Sequence, residues 1–405
     1  MIRARTRAQS PPRIAGHRVD RRMFLRGTGA AAAVGALAAC GVPSAYVEES
    51  KRGGTDRSER EKVVRFSNWA LYIDVDDEDE QRHPTLDAFT DRTGIKVRYS
   101  EEINDNDEFF GKIHPAIQAG KEPGRDAIVI SDWMCTRFVR LGWVQKLNKA
   151  NLPRVGANLA ESLRSPGYDP GREYTVPWQS GMTGIAYNKK LVDREIRSVN
   201  DLWRPELKGR VTVFAGFMEA VALLMLGEGS DIRTFTDADV DKVMERMQKL
   251  VDKDHIRSFT GNDYTSGLAS GDILACQAYS GDVGQLKLDN PDIEFVVPEE
   301  GAELWSENLM VPNKAAHKTN AEKLMDFYYD PEIAAELAHY VAYVCPVPAA
   351  QQVLAESPDQ EMRASATNPL IFPDAEMTAK LHGMRETTED EERRWEKAWG
   401  KIIGL

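Results

Sequence analysis

The sequence lacks the short motifs on which common catalysts are built: it contains no GxSxG, HExxH, GxGxxG or Walker sequence. Its seven histidines (His17, His83, His114, His255, His317, His339 and His382) are scattered, with no metal-ligand spacing. Cysteine is scarce. Of four, Cys40 sits beside an apolar run, leaving Cys135, Cys276 and Cys345, an odd set without a CxxC pair. Outside the cytoplasm one disulfide among them is open, partly buried thiols are the plainer reading, and their spacing argues against a thiol-built metal cluster. Six acids crowd Asp74–Glu80, but the Gly and closing Glu of an EF-hand loop are missing, so a solvated loop is expected. These absences argue against an enzyme, a metal centre and a cofactor.

Basic residues are outnumbered by acidic ones, except at the start. Residues 1–39 hold eight Arg, no Lys and one acid, Asp20, and end in an apolar run from Gly27 to Ala39. Thirteen weakly apolar residues cannot cross a hydrocarbon core that needs about 20. The order of basic stretch, short apolar run and small residues is that of a secretory signal. Asp20-Arg21-Arg22-Met23-Phe24-Leu25-Arg26 resembles a twin-arginine export motif, and Leu37-Ala38-Ala39-Cys40 a lipobox whose cysteine is acylated. Without residues 1–39, 44 basic and 63 acidic residues remain, a net charge of −19. Such a surface excludes nucleic acid, whose phosphates need a basic partner, and favours cations.

Residues 41–61 are polar, with Gly and Ser, and read as a flexible tether. From Lys62 strand and helix patterns alternate. Strands are expected at Val63–Phe66, Ile95–Tyr99, Ala127–Ile130, Gly184–Tyr187, Val211–Phe214, Ile273–Tyr279 and Ile293–Val297. Helices are expected at Pro84–Thr93, Asp107–Gln118 and Asp239–Val251, and dominate after Thr319. The alternation predicts an α/β fold with a mainly parallel sheet, and two such sheets facing each other make a cleft. Tyr328-Tyr329 could hint at ferric-ion capture but sits in an apolar helical run, where core packing is expected.

Aromatic residues stand beside small polar or acidic ones at strand ends: Ser67-Asn68-Trp69-Ala70-Leu71-Tyr72, Ser131-Asp132-Trp133, Pro177-Trp178-Gln179-Ser180, Tyr279-Ser280-Gly281-Asp282, Leu304-Trp305-Ser306-Glu307 and Tyr343. Aromatic faces accept ammonium groups, and a desolvated ammonium needs a carboxylate.

With FSNWALY, TGIKVRYSEEINDNDEFFGKI, DAIVISDW, YTVPWQSGMTGIAYN, DLWRPELKGRV and LWSENLMVP in this order, the chain resembles the spermidine/putrescine-binding proteins of polyamine ABC transporters. The resemblance runs from about Val63 to at least Tyr343. It implies a two-lobed periplasmic-binding-protein (type II) fold with an amine in the cleft. Trp69 and Tyr72 match an aromatic pair flanking the ligand, Ser131 and Trp133 a Ser and an aromatic contact. Glu219 matches a carboxylate that pairs with an ammonium, and Tyr279, Trp305 and Tyr343 occupy aromatic wall positions. Three departures stand out: Glu307 replaces the usual Asp, Tyr279 the usual Trp, and Gly216 a second acid of spermidine-binding members. Asp282 or Asp132 could compensate for that acid.

The expected organisation is a signal over 1–39, a tether over 40–61, lobe 1 over 62–178, lobe 2 over 179–305, and a return to lobe 1 with C-terminal helices over 306–405. Crossovers fall near Trp178–Thr183 and Pro298–Glu307. The expected protein is a monomer, held to the membrane by a lipid on Cys40, that passes a polyamine to an ABC transporter permease. Capture of another cationic amine or ferric ion, or a surface hydrolase, are the alternatives.

Overall fold

The computed structural model describes residues 47–404, apart from Asp77 and Glu80. The twin-arginine motif, the apolar run and Cys40 lie outside the described residues. No helix among the described residues is long and apolar enough to cross a membrane.

Among the described residues ten strands form one hydrogen-bonded sheet that serves two lobes, eight in a single path and two branching from it. On one side, β1 (Val63–Trp69) pairs in parallel with β2 (Lys96–Ile103) and β3 (Ala127–Ser131). On the other, β5 (Val211–Phe214) pairs in parallel with β6 (Ile256–Thr260) and β7 (Ala275–Tyr279). Two long strands join them: β4 (Thr175–Asn188) and β9 (Ala302–Met310), antiparallel to each other. At its Met310 end β9 pairs with β3, and at its Asn188 end β4 pairs with β7 and β8 (Ile293–Val296). A short β10 (Leu381–His382) lies beside the start of β9. The sheet is therefore parallel within each lobe but antiparallel at the junction, where the sequence pattern predicted a mainly parallel one. This is a two-lobed type II α/β fold.

The two crossing segments are strands rather than loops. β4 is buried over all fourteen residues, because sheet neighbours and helices cover it throughout. Its Pro177 cannot donate to a ladder, and the register shifts between Pro177 and Gln179, where such a residue is tolerated. Trp178, at the first expected crossover, is core. Its ring meets Phe66 at 5.6 Å and Tyr328 at 4.6 Å, and its indole N–H donates to the Tyr72 carbonyl at 3.2 Å.

Each lobe has its own core. Helices Lys318–Phe327 and Pro331–Val341 pack with β1 and Trp178 on the first lobe. Tyr328 and Tyr329 belong to this core; the Tyr329 hydroxyl donates to the Pro177 carbonyl at 2.7 Å, and Tyr328 meets the Thr85 hydroxyl at 2.8 Å. The second lobe is built on helix Phe217–Gly227, apolar on nearly every face and buried accordingly. The last helix, Glu389–Ile403, packs here through Trp395 and Trp399 instead of returning to lobe 1 as expected. It still reaches lobe 1: Glu392 and Glu396 pair with Arg137 at 3.1 and 3.4 Å, and Arg140 meets Glu392 at 3.4 Å.

The segment expected as a flexible tether is docked from Val47 onward. The Val47 amide donates to Leu141 at 2.8 Å, and Asp56 accepts from Thr319. His317, fully buried, bridges Asp126 at 2.9 Å and Glu61 at 2.8 Å. Polar composition was read as freedom, but Asp56 and Glu61 find fixed partners in the helix start near His317. Asp74, expected in a solvated loop, is buried and caps helix Pro84–Thr93 through the Thr85 amide at 2.7 Å. The three described cysteines are buried free thiols, and burial pushes Cys345 up to about 12.

Candidate functional site

A cavity of about 910 Å³ opens between the lobes, where β4 and β9 pass from one to the other. All nine residues singled out from the sequence line it: Trp69, Tyr72, Ser131 and Trp133 from the first lobe, Glu219 and Tyr279 from the second, Trp305 and Glu307 from β9, and Tyr343 beyond helix Pro331–Val341. Strand ends in an α/β sheet converge on such a crevice, which is why residues distant in sequence meet.

The aromatic walls touch. Tyr72 and Tyr343 meet edge to face at 5.0 Å, as do Tyr279 and Trp305 at 5.3 Å, while Trp305 and Tyr343 lie tilted at 5.9 Å. Tyr279 stacks on Phe214 at 4.4 Å behind it. Glycine makes this packing feasible. A Cβ at Gly181, opposite Trp305 on β4, would meet the indole ring at 2.3 Å, so only hydrogen fits there.

Carboxylates dominate the polar lining. Eight acids face the cavity against one base, Arg385, whose guanidinium is engaged by Glu391 at 2.8 Å and by the Phe235 carbonyl. Glu307 accepts from the Trp69 indole at 3.0 Å and from the Ser131 hydroxyl. Burial nevertheless pushes its carboxyl up to about 8, with the charge of Asp132 adding and those two donors opposing. Glu219 is likewise pushed up to about 8 by burial and by Asp105 and Asp107. Its carboxylate folds back over Gly216, where a Cβ would come within 2.0 Å of it. The missing acid at that position thus leaves the space that Glu219 occupies.

The two acids considered as compensation are already held. Asp282 accepts from Tyr343 at 2.7 Å, Tyr264 at 2.9 Å and Asn262 at 3.1 Å. Asp132 accepts from Tyr168 at 2.6 Å, the Ser306 amide at 2.9 Å and Asn308 at 2.7 Å. One acid escaped the sequence reading: Glu303 lines the cavity, 8% exposed, and is pushed up to about 8 by burial. The signal was available in the alternation Glu303-x-Trp305-x-Glu307, which puts all three on one face once the segment is read as a strand.

One neutral group of the lining is also unmatched. The buried Tyr72 hydroxyl has no hydrogen-bond partner. Among the described residues no group of three His, Cys, Asp or Glu could hold a metal ion. With Tyr328 and Tyr329 in the core, the tyrosine pair offers no iron site in the cleft.

Two lobes, a cleft on their shared strands, and walls of aromatics and carboxylates define a solute-binding protein. The chain belongs to the bacterial extracellular solute-binding protein family, whose model matches residues 85–368. It is 27% identical over 319 residues to the spermidine/putrescine-binding periplasmic protein of Salmonella typhimurium, covering 78% of this chain and 85% of that one. It is also 27% identical to a putrescine-binding periplasmic protein of Pseudomonas aeruginosa, covering 84% and 92%. In fold it is similar to a putative spermidine/putrescine ABC transporter protein from Listeria monocytogenes, with a TM-score of 0.72, 23% identity, and coverage of 84% and 98%.

Proposed function

We propose that this protein captures a linear polyamine, spermidine or putrescine, in the cleft between its lobes and delivers it to an ABC transporter permease. The observation that carries this reading is the mismatch of charge in the cavity: eight acids, several pushed toward neutrality by burial, face aromatic walls and one engaged arginine. A dehydrated ammonium supplies the counter-charge these carboxylates lack, and its methylenes fit the rings. The names of the relatives point the same way. Trp69, Tyr72, Ser131, Trp133, Glu219, Tyr279, Trp305, Glu307 and Tyr343 are the proposed ligand contacts, and binding closes the lobes by bending at β4 and β9.

The test is a thermal-shift and calorimetric panel on the mature domain: putrescine, spermidine, a monoamine and a neutral polyol. A polyamine should raise the melting temperature in proportion to the logarithm of its concentration. No shift with any amine, in protein that melts cooperatively, sinks the reading. We further propose that Cys40 carries the lipid and that export uses the twin-arginine motif. Changing Cys40 to Ala should release the protein from membranes; a variant that stays in the membrane fraction refutes the anchor.

A further inference from the structure

We propose that Glu303 is a specificity-determining residue of this cleft, taking an ammonium group of the ligand at the opposite end of Trp305 from Glu307. The assignment rests on the polyamine reading above and says which side chain supplies the acid that Gly216 does not.

On β9, Glu303, Trp305 and Glu307 alternate onto the cavity face, so two carboxylates flank one indole. At about 3.4 Å per residue their backbones stand about 14 Å apart, with the ring between them. That is the layout an extended chain with charge at intervals needs: acid, aromatic surface, acid. Thr183 lies across from Glu303 in the β4 register, and its hydroxyl both accepts from the Trp305 indole at 3.0 Å and supports the Glu303 carboxylate. No lysine or arginine faces Glu303 from β4 or β9. The charges coupled to it are acids, Asp132 and Glu219, and His382 is its register partner on β10.

The rival acids are disqualified by their partners. Asp282 and Asp132 each hold three donors, whereas Glu303 has Thr183. A carboxylate 8% exposed, in a cavity, without a cation, is costly unless a ligand provides one. The unpartnered Tyr72 hydroxyl, 5% exposed and on the cavity wall, shows that the pocket's polar complement is incomplete without an occupant.

The experiment is calorimetry of the wild type, Glu303→Gln and Glu303→Asp with putrescine and spermidine, repeated in two buffers of different ionisation heat. An acid held protonated in the empty cleft releases its proton when an ammonium pairs with it. Glu303→Gln should therefore weaken at least one of the amines by roughly tenfold to a hundredfold and release fewer protons per amine bound. Glu303→Asp should keep the proton release and recover part of the affinity, which a merely structural role would not do. A Glu303→Gln protein that matches the wild type in both affinity and proton release overturns the assignment and leaves the polyamine reading standing. A wild type that binds neither amine overturns both.

Discussion

Glu307 and Glu303 stand four residues apart on one face of one strand, and the protein holds them differently. Glu307 is met by donors from the first lobe, the Trp69 indole and the Ser131 hydroxyl, so its carboxylate is aimed before any ligand arrives. Glu303 and its neighbour Glu219 have few donors; one leans on Thr183 and the other folds over Gly216. The same residue type thus gives a preorganised acceptor at one end of the cavity and a less supported one at the other. Preorganised groups bind more strongly because less ordering remains to be done, whereas loosely held ones adapt to ligands of different length.

Four changes separate the two ends, in falling order of effect. Glu307→Gln should cost the most, roughly a hundredfold in polyamine affinity by calorimetry, because the best-aimed charge is removed. An effect smaller than that of Glu303→Gln would reverse the comparison. Gly216→Ala should weaken binding about tenfold with little change in melting temperature, since the Cβ meets the flexible tip of Glu219 and merely moves it. A large loss of stability would show that Gly216 serves the backbone instead.

Third comes pH. Glu303, Glu307 and Glu219 have folded values of about 8 against an ordinary 4.5, so the folded state holds protons that the unfolded chain has released. Stability of the empty protein should therefore fall as pH rises from about 4.5 to about 8, then level off. Melting curves across that range would check it, and Glu303→Gln should flatten the decline. The smallest effect belongs to Tyr343→Phe. It removes one of three donors to Asp282, for about 1 kcal/mol in denaturant unfolding.

Much of the cleft was legible because its residues are chemically distinctive. Trp69 and Glu219 sit at a strand end and a helix start, where a wall or an acid declares itself by type, and Trp305 stands out by its size. β9 was less legible. Ala302–Met310 mixes Glu, Ser and Asn with apolar residues, so it reads as a loop, although Glu303 and Glu307 face an internal cavity and Ser306 and Asn308 bond to Ser180 and Asp132. Missing the strand meant missing Glu303. The tether failed for a related reason: Asp56 and Glu61 look solvated in isolation, and their partners Thr319 and His317 lie more than 250 residues away. The last helix carried Trp395 and Trp399 as plain apolar anchors, but nothing in its sequence says which lobe's core will receive them.

The ribbon of β4 and β9 belongs to both lobes at once, and Trp305, Glu303, Glu307 and Thr183 are mounted on it. On the proposed lobe closure, the rest of the cavity wall moves with its lobe while this row, shared by both, moves least. A ligand can therefore land on the stationary row before the walls come together, and the order of events becomes first contact, then enclosure. Stopped-flow traces should then show an observed rate that rises with amine concentration and saturates at the closing rate, which a cleft sealed before contact would not give.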